Sequence, residues 1–219
     1  MPHPIGSPNP EDKAQAVALF GSTVSRETWE RLEQFVDLLL RWQRSTNLVA
    51  SSTIPQAWTR HVADSLQLVP IVPNGARWID LGAGGGFPGL VIACVLAGKP
   101  GAQVHLVESV QKKAAFLRAV VSEIALPAIV HAVRIEDFVS ATTERFDVVT
   151  ARALAPLDKL IGYAIPLLKT GTVGLFPKGQ DVEAELTQAS KSWTIEVDLL
   201  PSRTDPRSRI VRVRHASKR

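Results

Sequence analysis

The stretch Trp78-Ile79-Asp80-Leu81-Gly82-Ala83-Gly84-Gly85-Gly86-Phe87-Pro88-Gly89-Leu90 constrains the chain more than any other. A short β-rich run ends at Asp80. Glycines follow, and an apolar run opens at Pro88. Strand, glycine turn and helix in that order are what cofactor binding at the carboxyl edge of a sheet requires. Glycine lets backbone approach a ligand where a Cβ would clash. The dinucleotide fingerprint G-x-G-x-x-G is the obvious comparison. Gly82 and Gly84 meet its first two positions, but the third falls on Phe87. The loop reads G-x-G-x-G instead, through Gly86.

The flanking pattern sets the fold class. After the turn signal Asn74-Gly75, β-rich runs at 77–81, 103–108, 129–133, 146–150, 172–176, 195–200 and 210–214 alternate with helical stretches at 88–98, 111–124, 156–168 and 182–191. Alternation of this kind predicts right-handed βαβ units and an α/β fold with a mostly parallel, doubly wound, seven-stranded sheet. Residues 11–74 precede it as a helical extension. Glu11 and Asp12 suit a first turn, and Ser25 suits an N-cap. Trp29, Leu32, Phe35, Val36, Leu39 and Leu40 make one stripe, and Pro55 opens a third helix that ends at Pro70. Four prolines within residues 1–10 point to a disordered start.

Composition narrows the class. A chain of 219 residues, 45% hydrophobic, buries a core without staples, and its one cysteine, Cys94, cannot form an internal disulfide. A reducing, cytoplasmic setting is expected. No apolar run approaches membrane-spanning length, and the first residues lack the apolar core of a signal peptide. Charge is uneven. Seven Lys or Arg stand against Asp205 between Arg203 and Arg219. That stretch is either a solvated basic tail or a polyanion-binding surface.

Several side chains have two readings. Glu108 ends the second strand, where a carboxylate can accept both ribose hydroxyls of an adenosine. Phe87 is a wall beside the cofactor or a core residue. His61 and Asp64, three apart on one helical face, either line the mouth of a site or form a helix-to-core hydrogen bond. Arg152, just past the fourth strand, faces the substrate or makes a surface ion pair. Lys178 meets phosphate or is an ordinary exposed lysine. Trp29, Trp42 and Trp58 read as core. No metal-ligand spacing, Ser-His-Asp arrangement or carboxylate pair is evident.

The G-x-G-x-G loop with an acid before it resembles motif I of class I S-adenosylmethionine-dependent methyltransferases. Further segments narrow this: Trp42 with Asn47-Leu48-Val49-Ala50; Arg60-His61-Val62-Ala63-Asp64-Ser65; the Phe87-Pro88-Gly89 continuation; Glu108-Ser109 with Lys112-Lys113; Arg134-Ile135-Glu136; Thr150-Ala151-Arg152-Ala153; and Lys178-Gly179-Gln180. Together they resemble the bacterial small-subunit ribosomal RNA guanine-N7 methyltransferases, once called glucose-inhibited division protein B. Ala83, Gly85 and Val49 depart from the usual pattern without removing chemistry. The resemblance implies the cofactor S-adenosyl-L-methionine, a Rossmann-like class I fold, and 16S ribosomal RNA or the small subunit as partner. It implies cofactor contacts from Gly82, Phe87, Ile135, Glu136 and Arg152, which Asp80, Gly84 and Glu108 join on the strand-end argument. Arg152, His61 and Asp64 are the expected positioning residues, and Lys178, Arg212 and Arg214 the expected RNA contacts. A monomer without metal is expected. Guanine N7 has an in-plane lone pair and no proton, so the reaction needs placement rather than a general base. The rivals are a methyltransferase for a small molecule or protein, and a non-catalytic binding module.

Overall fold

The computed structural model describes residues 7–219; the first six residues of the expected disordered start lie outside it. Helix α1 (Pro10–Phe20) is capped by Asn9, whose side chain accepts from the Glu11 amide. Helix α2 (Arg26–Gln43) is capped by Ser25, as expected, through a 3.2 Å bond from the Thr28 amide. Leu32, Phe35, Val36 and Leu39 of its stripe are buried. Each such side chain contributes about 1.5–3 kcal/mol against about 1 kcal/mol for the cap, so packing fixes this helix.

The single helix expected from Pro55 to Pro70 is instead a relay of short turns. A 3₁₀ turn (Ser51–Gln56) leads to a π-helical turn (Trp58–Ala63), a single α turn, α3 (Asp64–Leu66), and a 3₁₀ turn (Val69–Ile71). Helix α1 supplies the reason. The Pro55 carbonyl, which a regular helix would give to Thr59, accepts from the Asn9 amide at 3.0 Å. Asp12 takes the amides of Trp58 at 2.8 Å and Thr59 at 3.2 Å, and also the Thr59 hydroxyl.

From Arg77 the chain alternates: β1 (Arg77–Leu81), α4 (Gly89–Leu96), β2 (Gln103–Val107), α5 (Gln111–Ile124), β3 (Ala128–His131), α6 (Ile135–Ala141), β4 (Val148–Thr150), α7 (Leu157–Leu168), β5 (Val173–Lys178), α8 (Val182–Ala189), β6 (Trp193–Pro201) and β7 (Arg209–Lys218). The sheet order is β3-β2-β1-β4-β5-β7-β6. β1 to β5 pair in parallel, while β7 runs antiparallel to both β5 and β6. Helix α6 was not expected as an element. β5 runs two residues further than expected, through Lys178, and the basic stretch is the turn before β7 together with β7 itself, which runs on to Lys218.

One apolar cluster covers the sheet face towards the extension. It joins Leu32, Phe35 and Leu39 to Leu90, Val91 and Cys94 of α4 and to Phe116 and Leu117 of α5. Trp58 belongs to it and Trp29 and Trp42 pack against it, which bears out the core reading of the tryptophans. The opposite cluster joins Ile79, Leu81 and Val149 to Leu160, Ile161 and Ala164 of α7. The strands β1, β4 and β5 all end on the edge where the extension's turns lie.

Candidate active site

The glycine loop begins at the end of β1. Gly82, Gly84 and Gly86 have φ of +73°, +52° and +89°, in the left-handed region. Their surroundings differ. A Cβ on Gly86 would fall 2.3 Å from Leu90, and one on Gly85 would fall 2.9 Å from the Leu48 carbonyl. Those two glycines admit packing neighbours. At Gly84 the nearest atom to such a Cβ is the Gly82 carbonyl, 3.7 Å away, so the space over Gly84 is open. The Leu48–Val49 backbone that presses on Gly85 is itself fixed by Gln43. Its carboxamide oxygen accepts both amides at 3.0 and 3.1 Å, and its NH₂ donates to the Val49 carbonyl at 2.8 Å. Sequence reasoning missed Gln43, since an amide at a helix end carries no distinctive signal.

Two carboxylates frame the loop. Glu108, just past β2, is buried and accepts from the Gly84 amide at 2.9 Å and the Val110 amide at 2.7 Å. Each oxygen keeps lone-pair capacity for a further donor. Asp80 is fully buried. Its Oδ2 accepts from the Gly89 amide at 2.9 Å, while Oδ1 has no partner. Burial pushes the Asp80 carboxyl up to about 7, against the opposing pull of the Gly89 amide and Arg152. The open space over Gly84 and the orphaned Asp80 oxygen suit a polar ligand at this edge. Ile135 and Glu136 open α6 after β3, with Ile135 half-buried and Glu136 exposed.

Across the loop, the structure brings Arg152, His61, Asp64 and Phe87 into one cluster. The Arg152 guanidinium donates to the Arg60 carbonyl at 3.0 Å and to His61 Nδ1 at 2.9 Å, and lies 3.5 Å from Asp64 Oδ2. It sits 5.3 Å from the Phe87 ring centre. The His61 and Phe87 rings are stacked, 5.0 Å apart at 29°. Phe87 is only 4% exposed and also touches Phe35, so it is wall and core at once. The alternative of a His61–Asp64 hydrogen bond is not what forms; both reach Arg152. Burial, reinforced by Arg152 and Arg60, holds His61 down at about 3, so the ring is neutral. Burial also lowers Arg152 from the usual arginine range, with Asp64 opposing.

A cleft of about 800 Å³ opens beside this cluster, lined among others by Arg60, Asp64, Arg152, Lys178, Arg207 and Arg209. Its floor includes the loop after β4, where Ala153 has a φ of +52° and Leu154 leans over Gly82. Lys178 does not sit free for phosphate. Its ammonium donates to the Ala155 carbonyl at 2.8 Å and pairs with Glu185 at 2.7 Å, pinning that loop. Arg212 and Arg214 are set apart from the cleft. Both pair with Asp198, at 2.7 and 2.6 Å, and their stretch of β7 lies alongside the middle and start of β5. The side chains of Arg60 and Arg209 form no ion pair among the described residues and line the cleft directly. Arg60 lay inside the Arg-His-x-x-Asp-Ser segment and Arg209 inside the basic stretch, so the signal was present but unassigned. Among the described residues no group of three His, Cys, Asp or Glu side chains can hold a metal, and no helix is long and apolar enough to cross a membrane.

This strand order, with a glycine cradle after β1 and a carboxylate after β2, defines a class I S-adenosylmethionine-dependent methyltransferase. The fold is shared with a putative O-methyltransferase from Klebsiella pneumoniae (TM-score 0.61, 12% identity, covering 94% of this chain and 98% of that one). It is shared equally with an O-methyltransferase from Bacillus cereus in complex with SAH (TM-score 0.61, 16% identity, 93% and 98% covered). The chain belongs to the GidB family, rRNA small subunit methyltransferase G, whose profile matches residues 28–207. It is 56% identical over 202 residues to the ribosomal RNA small subunit methyltransferase G of Bradyrhizobium sp. strain BTAi1, covering 92% of this chain and 90% of that protein. The protein of the same name from Rhodopseudomonas palustris strain HaA2 is 52% identical, with 98% and 92% covered.

Proposed function

We propose that this chain transfers the methyl group of S-adenosyl-L-methionine to N7 of a specific guanine in 16S ribosomal RNA. The observation that carries the choice of acceptor is the state of the acids and bases around the cleft. Asp64 faces Arg152, Glu185 is paired with Lys178, Asp205 with Arg207, and His61 Nδ1 accepts from Arg152. None is poised to remove a proton, and N7 carries none to remove.

When bound, the cofactor supplies a methyl group already activated by its sulfonium. Glu108 would then accept from the ribose hydroxyls, and the open space over Gly84 would admit the cofactor close to backbone, with Leu154 over Gly82 at its border. Phe87 would form the apolar wall, and Ile135 and Glu136 would border the adenine. Arg152 is held at the boundary between cofactor and cleft, where it can meet the cofactor carboxylate or the incoming guanine. The methylated base is cationic, and the Asp64 carboxylate, 18% exposed beside Arg152, offsets part of that charge. The guanine reaches the site by leaving its stack, as enzymes acting on bases require. Arg60 and Arg209 attract the flanking phosphates without reading sequence. The substrate places the enzyme in the cytoplasm on the small subunit, and one chain carries every group of the site, so a monomer suffices.

Deleting the gene and mapping the nucleosides of 16S ribosomal RNA by mass spectrometry tests this reading. Loss of one N7-methylguanosine, restored by the purified protein and the methyl donor, is the expected result. Full retention of that nucleoside in the deletion strain overturns it.

A further inference from the structure

The Arg152–His61 contact has a direction, and that direction continues into the 3₁₀ turn Ser51–Gln56, outside the segments that carry the family resemblance. A guanidinium offers only donors. The 2.9 Å contact between Arg152 and His61 Nδ1 therefore makes Nδ1 an acceptor without a proton. The neutral ring must then carry its proton on Nε2. Nε2 lies 2.8 Å from the Thr53 hydroxyl oxygen. The Thr53 hydroxyl spends its own proton on the Ala50 carbonyl at 2.7 Å, which leaves its oxygen free to accept from Nε2. The Thr53 amide reaches the same carbonyl at 2.8 Å, so the 3₁₀ turn Ser51–Gln56 fixes the hydroxyl in place.

We propose that Thr53 is a positioning residue of the methyl-transfer site: it selects the Nε2–H tautomer of His61 and thereby holds Arg152 against Phe87. The chain of donors runs one way, from Arg152 to His61 to Thr53 to Ala50. The other tautomer points an N–H at the guanidinium, and a donor facing a donor expels it. Asp64 and the Arg60 carbonyl alone then hold Arg152, and the ring stacked on Phe87 loses its fixed orientation. The role given to Arg152 rests on the function proposed above; the tautomer does not.

Nitrogen-15 NMR of histidine-labelled protein reads the tautomer directly. In the wild type the expected signature is an unprotonated, pyridine-type Nδ1 and a protonated, pyrrole-type Nε2 at His61. Thr53→Val keeps the shape and removes the acceptor. It should shift His61 towards the Nδ1–H form and lower kcat for methyl transfer roughly 10-fold or more through misplacement of Arg152. Thr53→Ser should restore both. A wild-type ring protonated on Nδ1 overturns the proposal whether or not any variant folds. So does an activity loss in Thr53→Val with the tautomer unchanged, which would mark Thr53 as a packing residue. If the wild type transfers no methyl group to ribosomal RNA, the function above falls while the tautomer measurement stands.

Discussion

At the scale of single residues, the site separates positions that look alike in the sequence. Gly84, Gly85 and Gly86 are neighbours, yet only Gly84 faces open space; the other two face Leu48 and Leu90. A Gly84→Val variant should therefore fold, at a cost of about 1–2 kcal/mol for a left-handed non-glycine residue, and lose the cofactor. Isothermal titration with S-adenosylmethionine should show binding abolished while circular dichroism stays native. Retained affinity would remove Gly84 from the cradle. The glycine spacing was legible because it answers a local demand, φ above zero in the tight turn after β1. Glu108 was legible for the same reason, as a strand end has a fixed address in this fold. The fate of Lys178 was not. Its partners Ala155 and Glu185 come from a loop and a helix whose approach is set by packing, and nothing within a few residues of Lys178 announces them. The pairing of Arg212 and Arg214 was equally hidden, because Asp198 lies on another strand.

At the scale of elements, long amphipathic helices and buried strands could be read from periodicity, and boundaries moved by up to four residues, the most at the end of β7. The segment 51–71 resisted reading because its geometry is imposed from outside. Asp12, on α1, occupies the amides that a regular helix would have satisfied internally. Its carboxylate is buried, and removing it strands two amides and a hydroxyl. Asp12→Ala should lower the free energy of unfolding by about 2–3 kcal/mol, the scale of a charged hydrogen bond lost with its partners left buried. Urea denaturation measures this. A change below about 0.5 kcal/mol, typical of a surface substitution, would show that the π-helical turn holds without its cap. The same variant should weaken methyl transfer, since His61 and Arg60 both lie in that turn.

At the scale of the whole molecule, buried titratable groups work against one another. Burial depresses His61 to about 3 and His105 to about 4. Between those values and the ordinary histidine range the unfolded chain binds protons that the folded chain refuses, so stability falls as pH drops. Asp80 has the opposite sign. Raised to about 7, it holds a proton in the folded state that the unfolded state releases, so its contribution is lost as pH rises from about 4 to 7. Asp80→Asn should remove that counterweight and leave stability climbing more steeply between pH 4 and 7 in cofactor-free protein. A slope equal to that of the wild type would show that Asp80 is ionised throughout. The turn that carries Arg60, His61 and Asp64 is made early in synthesis, yet its partner Arg152 is joined to the chain some ninety residues later. The glycine cradle can close around β1 and β2 before that arginine has left the ribosome. A nascent or half-docked chain can thus carry the glycine turn while His61 still lacks the guanidinium that fixes it. The two halves of the cluster meet only once β4 has taken its place beside β1, so this corner of the molecule is among the later parts of the chain to be assembled.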